Sequence, residues 1–98
     1  MQLADALETL RAHQRELQEF GVQHAAIFGS VARGQSSPTS DIDVLLDLDP
    51  ARPIGVFQYA RLKLFLAALL PVPADIVHRK TLKPLLRESI LRDAVYAF

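Results

Sequence analysis

Apolar side chains recur at helical spacing along the first twenty residues. Leu3, Leu7, Leu10, Leu17 and Phe20 form one stripe, which Gln14 interrupts. Glu8, Arg11, Arg15 and Glu19 fall between them, so the spacing predicts an amphipathic helix stopped by Gly21. Val22 to Phe28 is then a short apolar run, predicted as a strand, and it ends abruptly at Gly29-Ser30. A short helical turn is expected over Val31-Ala32-Arg33. Gly34 to Thr39 (GQSSPT) is dense in turn formers and reads as a loop. Asp41 to Asp49 (DIDVLLDLD) alternates with a period of two. Ile42, Val44, Leu46 and Leu48 point one way; Asp41, Asp43, Leu45, Asp47 and Asp49 point the other. This predicts a strand with one core face and one outward, acidic face.

Pro50 and Pro53 bracket a break. A second long helix is predicted over Ile54 to Leu70, with Pro53 near its first turn and Pro71 and Pro73 ending it. Ala74 to Val77 reads as a third strand and Leu82 to Tyr96 as a closing helix. Pro84 is tolerated in that helix's first turn, where amides have no helical partner. The order α-β-(short α)-β-α-β-α indicates an α/β (α+β-like) fold, a small mixed sheet packed with helices, because the first two strands are joined by only a short segment. Ninety-eight residues leave room for one core, so residues 1–98 are expected to form a single domain.

Composition narrows the function classes. Half the residues are apolar and 22% are charged, as in a globular protein. Eleven basic residues balance eleven acidic ones, which argues against a general nucleic-acid binder. The chain has no cysteine, so disulfides, thiolate zinc sites and cysteine nucleophiles are excluded. The start, Met1-Gln2-Leu3-Ala4-Asp5, lacks the basic opening and apolar run of a signal peptide. The apolar run Leu64 to Leu70 is far too short to span a bilayer. The expectation is a soluble, cytoplasmic protein without membrane attachment. The helix over 54–70 is apolar on more than one side, with Phe57, Leu62, Leu64 and Phe65 among its residues. One face serves the core; the excess predicts an interface with a partner or with a second copy.

Three features carry candidate chemistry. Asp41 and Asp43, two apart on a strand, project to one side with Cα atoms roughly 6.5–7 Å apart. Carboxylates so placed can converge on metal ions, and hard oxygen ligands suit Mg²⁺. A lone Asp-x-Asp is more often just a solvated strand face. Asp47-Leu48-Asp49 illustrates this: it lies roughly 13 Å farther along the strand, beside Pro50, and reads as structural or solvated. Gly29-Ser30, between an apolar strand and a helical turn, can bring backbone amides and a hydroxyl to a phosphate, although an ordinary turn looks the same. It lacks the Gly-Lys-Ser/Thr signature of a P-loop. Asp75 sits among apolar neighbours (ADIV), where a charge needs a partner or a metal, or else faces water or pairs with Arg79. His13, His24 and His78 have no zinc-ligand spacing.

Together, Gly29-Ser30, ten intervening residues and Asp41-x-Asp43 reproduce the Gly-Ser-x10-Asp-x-Asp signature of the nucleotidyltransferase superfamily that includes DNA polymerase beta. The string GSVARGQSSPTSDIDVLL and the later PADIVHRKTLKPLLRESILRDAVY resemble the minimal nucleotidyltransferases (MNT) of bacteria and archaea, so the resemblance spans nearly the whole chain. It implies that Asp41, Asp43 and Asp75 ligate Mg²⁺ and serve catalysis, and that Gly29 and Ser30 form the triphosphate turn. Arg33 belongs to the matched string and either faces the phosphates or pairs with a site aspartate to hold the turn. Arg79 and Lys80 follow the third strand, where a solvated role outweighs a phosphate contact. The implied reaction transfers a nucleoside monophosphate, AMP from ATP, to a hydroxyl. The chain also resembles MNT antitoxins paired with HEPN-domain RNase toxins, which implies a HEPN-type toxin as partner and a tyrosine hydroxyl as acceptor. Two alternatives stand beside this reading. One is a non-catalytic antitoxin that acts by binding; the other is an RNA-directed nucleotidyltransferase, against which the neutral charge counts.

Overall fold

A computed structural model describes the chain from Met1 to Phe98. The predicted first helix is two helices, α1 (Leu3–Ala12) and α2 (Gln14–Glu19). His13 leaves helical geometry at φ −111° and ψ 20°, beside the Gln14 that interrupts the apolar stripe. The break lets Leu10 and Leu17 both reach the core, and the His13 ring meets Phe65 edge-on at 6.0 Å. Strand β1 (Val22–Phe28) runs into a four-residue helix, α3 (Gly29–Ala32), which begins at the glycine itself rather than at Val31. Strand β2 is Ile42–Leu48, so Asp41 stands just before it.

Helix α4 (Val56–Leu69) starts later than predicted, with Gly55 as its N-cap, and Pro53 lies outside it. It carries the chain from β2 to the parallel strand β3 (Ala74–His78), the crossover that a parallel pair requires. A 3-10 turn (Arg79–Thr81) follows, then α5 (Pro84–Asp93), with Pro84 in the first turn as expected. The closing helix stops three residues short of the predicted Tyr96. Val95–Tyr96 forms a fourth strand, β4, and Ala97 donates a 2.8 Å hydrogen bond to the Ala25 carbonyl. The sheet order is β3-β2-β1-β4, with β2 antiparallel to β1, β1 antiparallel to β4, and β2 parallel to β3.

Both faces of this sheet are covered. Ala25, Ile27, Val44 and Leu46 pack against Leu7, Leu10 and Leu17 of α1–α2 and Leu62 and Leu66 of α4. The opposite face was expected to be outward and acidic. Instead Leu45, only 1% exposed, forms a second small core with Ala26 and Phe28 beneath Ile90 and Leu91 of α5. Period-two alternation sorts residues between two faces, but it cannot say whether a helix from forty residues away covers one of them. The acids flank this core at either end: Asp43 before Leu45 and Asp47 after it. Leu45→Ala is expected to cost roughly 2–5 kcal/mol in chemical denaturation, as for a buried leucine. A solvated strand face would give a change within about 0.5 kcal/mol.

Candidate active site

The site is built at the end of β1. Phe28, its last residue, pairs with Asp43 of β2, and Gly29 follows with φ +72°. Side chains with a Cβ avoid that conformation. Space requires the glycine as well, because a methyl group on Gly29 would run into the Asp43 carboxylate. The chain then enters α3, whose first amides have no partner within the helix and lie beside that carboxylate. Gly29 thus stands against Asp43 of the Asp-x-Asp pair.

Asp75 arrives from β3. It is the direct partner of Asp43 in the parallel register, on the same sheet face, with strands about 4.8 Å apart. Asp43 is half-buried, whereas Asp75 and Asp41 are exposed. Burial, then the charges of Asp75 and Asp41, raise the Asp43 pKa above the usual carboxylate value; Arg33 pulls it back in part. The folded carboxyl therefore holds its proton more tightly than the unfolded chain does. Its ionisation costs stability as pH rises through that raised value, and at neutral pH the full cost is present. A half-buried carboxylate whose proton affinity is raised further by two neighbouring acids marks a site short of positive charge, and the oxygens of the three aspartates are the hard donors that Mg²⁺ takes. As the side chains stand, the three do not close around one point as a ready three-ligand group. Asp43 and Asp75 are side by side, with Asp41 ahead of the strand.

Arg33 pairs with none of the three. Its Nη1 donates to Asp93 Oδ2 of α5 at 2.6 Å, and its Nε to Gln35 Oε1 at 3.1 Å. The cation still reaches Asp43 electrostatically, so it both ties α3 to α5 and offsets charge at the site. Asp93 is a contributor that sequence reasoning missed, since no local pattern links residues sixty apart. The loop before Asp41 is knit by serines: Ser37 N–H donates to Ser40 Oγ at 2.9 Å and Ser40 N–H to the Ser37 carbonyl at 3.1 Å. Asp49 accepts from the Ala51 amide at 2.9 Å, and Asp47 faces Arg79 at 3.8 Å, so this second acidic pair is engaged structurally. Arg79 is thereby drawn to Asp47 and not to Asp75.

Two stability measurements check this geometry. Gly29→Ala is expected to lose roughly 1–2 kcal/mol in urea unfolding from its backbone conformation alone, with the carboxylate clash adding to it. Asp43→Asn is expected to melt above the parent in metal-free buffer at pH 7, with the difference fading toward pH 3, where the parent carboxyl is protonated.

Comparison with known proteins identifies the family. Residues 8–97 match the family described as nucleotidyltransferase domain. A Thermococcus cleftensis protein named protein adenylyltransferase MntA is 36% identical over 88 residues, covering 89% of this chain and 87% of the relative. A solved structure described as a minimal nucleotidyltransferase superposes with a TM-score of 0.71 at 40% identity, covering 97% of this chain and 95% of that one. An AMPylated Shewanella oneidensis HEPN toxin in complex with its MNT antitoxin gives a TM-score of 0.64 at 17% identity, over 94% of this chain and 71% of that one, a likeness of fold alone. A family match over almost the entire chain, joined to relatives alike along nearly their full length, places this protein in the nucleotidyltransferase family as a nucleotidyl-transferring enzyme of the minimal, MNT type.

Proposed function

We propose that this enzyme transfers AMP from ATP, with Mg²⁺, to a hydroxyl of a partner protein, and that the partner is a HEPN-type toxin which it restrains inside the cell. The observation that carries this reading is the facing of Asp43 and Asp75 directly beside the Gly29 turn. Support comes from full-length relatives named protein adenylyltransferases and from fold neighbours that are antitoxins in complex with HEPN toxins. Asp41, Asp43 and Asp75 would hold Mg²⁺, which supplies charge neutralisation on the triphosphate and acidifies the acceptor hydroxyl.

The chain's own residues have distinct tasks. Gly29 lets the backbone come close to a phosphate, and Ser30 and the first amides of α3 donate to its oxygens. Asp75, exposed on the edge strand, would take the proton of the incoming acceptor hydroxyl. Arg33, held by Asp93, keeps α3 seated against α5 and contributes positive charge beside the phosphate turn. No helix is long and apolar enough to cross a membrane.

A second reading, neutralisation by binding without catalysis, draws on the apolar residues that α4 leaves exposed. One experiment separates the two. The purified chain is incubated with Mg²⁺, α-labelled ATP and a HEPN-type protein from the same organism. The partner is expected to acquire label, and Asp43→Asn or Asp75→Asn to lower the rate by about 100-fold or more. Equal labelling by parent and variants contradicts the site. A variant that labels nothing yet still silences the toxin in a stable complex supports binding alone.

A further inference from the structure

The net charge of zero conceals a division. Eight of the eleven carboxylates lie before Pro50, and eight of the eleven basic residues lie from Pro50 onward. Between Pro50 and Ala74 there is no carboxylate at all. That stretch contains α4, which buries Leu62 and Leu66 but leaves Val56, Phe57 and Leu64 exposed at 84%, 86% and 71%. Phe57 and Leu64 are seven residues apart, two helical turns, so they align along one stripe, with Arg61 between them and Lys63 beside it. Scattered exposed apolar residues need no explanation, but an aligned row flanked by charge of one sign does.

The stripe begins at a cleft. About 480 Å³ of space lies where β2 and β3 end, bounded by Leu48, Ile54, Val56, Tyr59, His78 and Lys80. This is the end of the sheet opposite to Asp43 and Asp75, because β2 and β3 run parallel from one to the other. The cleft has the makings of a hole for a protruding side chain: apolar walls with a few polar groups. His78 Nε2 is shielded from solvent and has no hydrogen-bond partner within the chain. Burial and the Lys80 charge lower the His78 pKa, with Asp47 opposing, so the imidazole is neutral and adds no positive charge to the cleft wall. At the rim, α4 starts at Gly55 with no side-chain cap and no acid in its first turn. Its free amides favour an incoming carboxylate.

We infer that the exposed stripe of α4 and the cleft at its N-terminal end form a docking surface for a partner protein whose contact face is an apolar ridge bordered by carboxylates. Charge complementarity selects this occupant. A second copy of the chain meeting this surface symmetrically would set Arg61 and Lys63 against their own counterparts, with no carboxylate in the stretch to relieve them. A lipid surface would meet the basic, apolar helix but would leave the cleft unused. The inference rests on the partner reading given above, and it adds which surface is gripped and what chemistry grips it. α4 runs back from the cleft toward the aspartate end of the sheet, so a partner lying along it is led to the site.

The test is binding of a HEPN-type protein from the same organism, measured without ATP so that catalysis does not enter. Phe57→Glu and the pair Arg61→Glu, Lys63→Glu are compared with the parent. Phe57 is almost fully exposed, so these variants should melt with the parent. Each is expected to weaken binding at least tenfold, and the charge-reversed pair to lose most of the parent's sensitivity to salt. If the parent binds and these variants bind equally well, or if Leu85→Glu on the opposite side of the sheet abolishes binding while they do not, the docking surface is wrong and the partner reading stands. If the parent does not bind at all, the partner reading fails and takes the inference with it. Dimerisation of the parent that Phe57→Glu abolishes, or Phe57-dependent sedimentation with phosphatidylserine vesicles, overturns the proposal in favour of a second copy or a membrane.

Discussion

The parallel pairing of β2 with β3 holds Asp43 and Asp75 side by side against their mutual repulsion, and the rest of the molecule is arranged around that contact. A parallel pair cannot be joined by a tight turn, so α4 must carry the chain back over one face. That face becomes the larger core, closed by α1 and α2. The antiparallel pairing of β1 with β2 delivers Gly29 to the same spot, because Phe28 is the partner of Asp43. The folded chain thus tolerates an electrostatic cost at neutral pH that a cation would remove.

On the other face α5 has two tasks. It buries Leu45 and Phe28 directly behind the site, and through Asp93 it holds Arg33 of the turn that follows α3. The short strand β4 then fastens the chain end to β1. Asp43 therefore projects from a strand fixed from both sides, with Asp75 beside it on the edge strand, a support that would keep both carboxylates in place for a shared cation.

Much of this was legible in the sequence, for physical reasons that can be named. The Gly-Ser turn and Asp-x-Asp are local patterns whose backbone requirements are carried by the residues themselves, and the antiparallel pairing of β1 with β2 brings Gly29 against Asp43. Asp75 was legible as an acid in an apolar strand, although it is exposed at an edge rather than buried. Other features depend on residues remote in sequence. Leu45 is solvated or buried according to whether α5 covers it, and Arg33 finds Asp93 only after the sheet has formed. Strand β4 is two residues long and exists because β1 offers it an open edge. The kink at His13 had a local trace, the polar Gln14 in an apolar stripe, but a single interrupted position does not distinguish a bent helix from a straight one.

Asp43 is held at elevated proton affinity by burial and by its acidic neighbours, a cost that a divalent cation would discharge. Carbon-13 NMR titration of the aspartate carboxyls reads this directly. In metal-free buffer the Asp43 midpoint should lie above the ordinary aspartate range and fall back toward it in Asp75→Asn. Saturating Mg²⁺ should drive it below that range, since cation and proton compete for the same oxygens. An ordinary midpoint, indifferent to Asp75 and to Mg²⁺, would contradict the account.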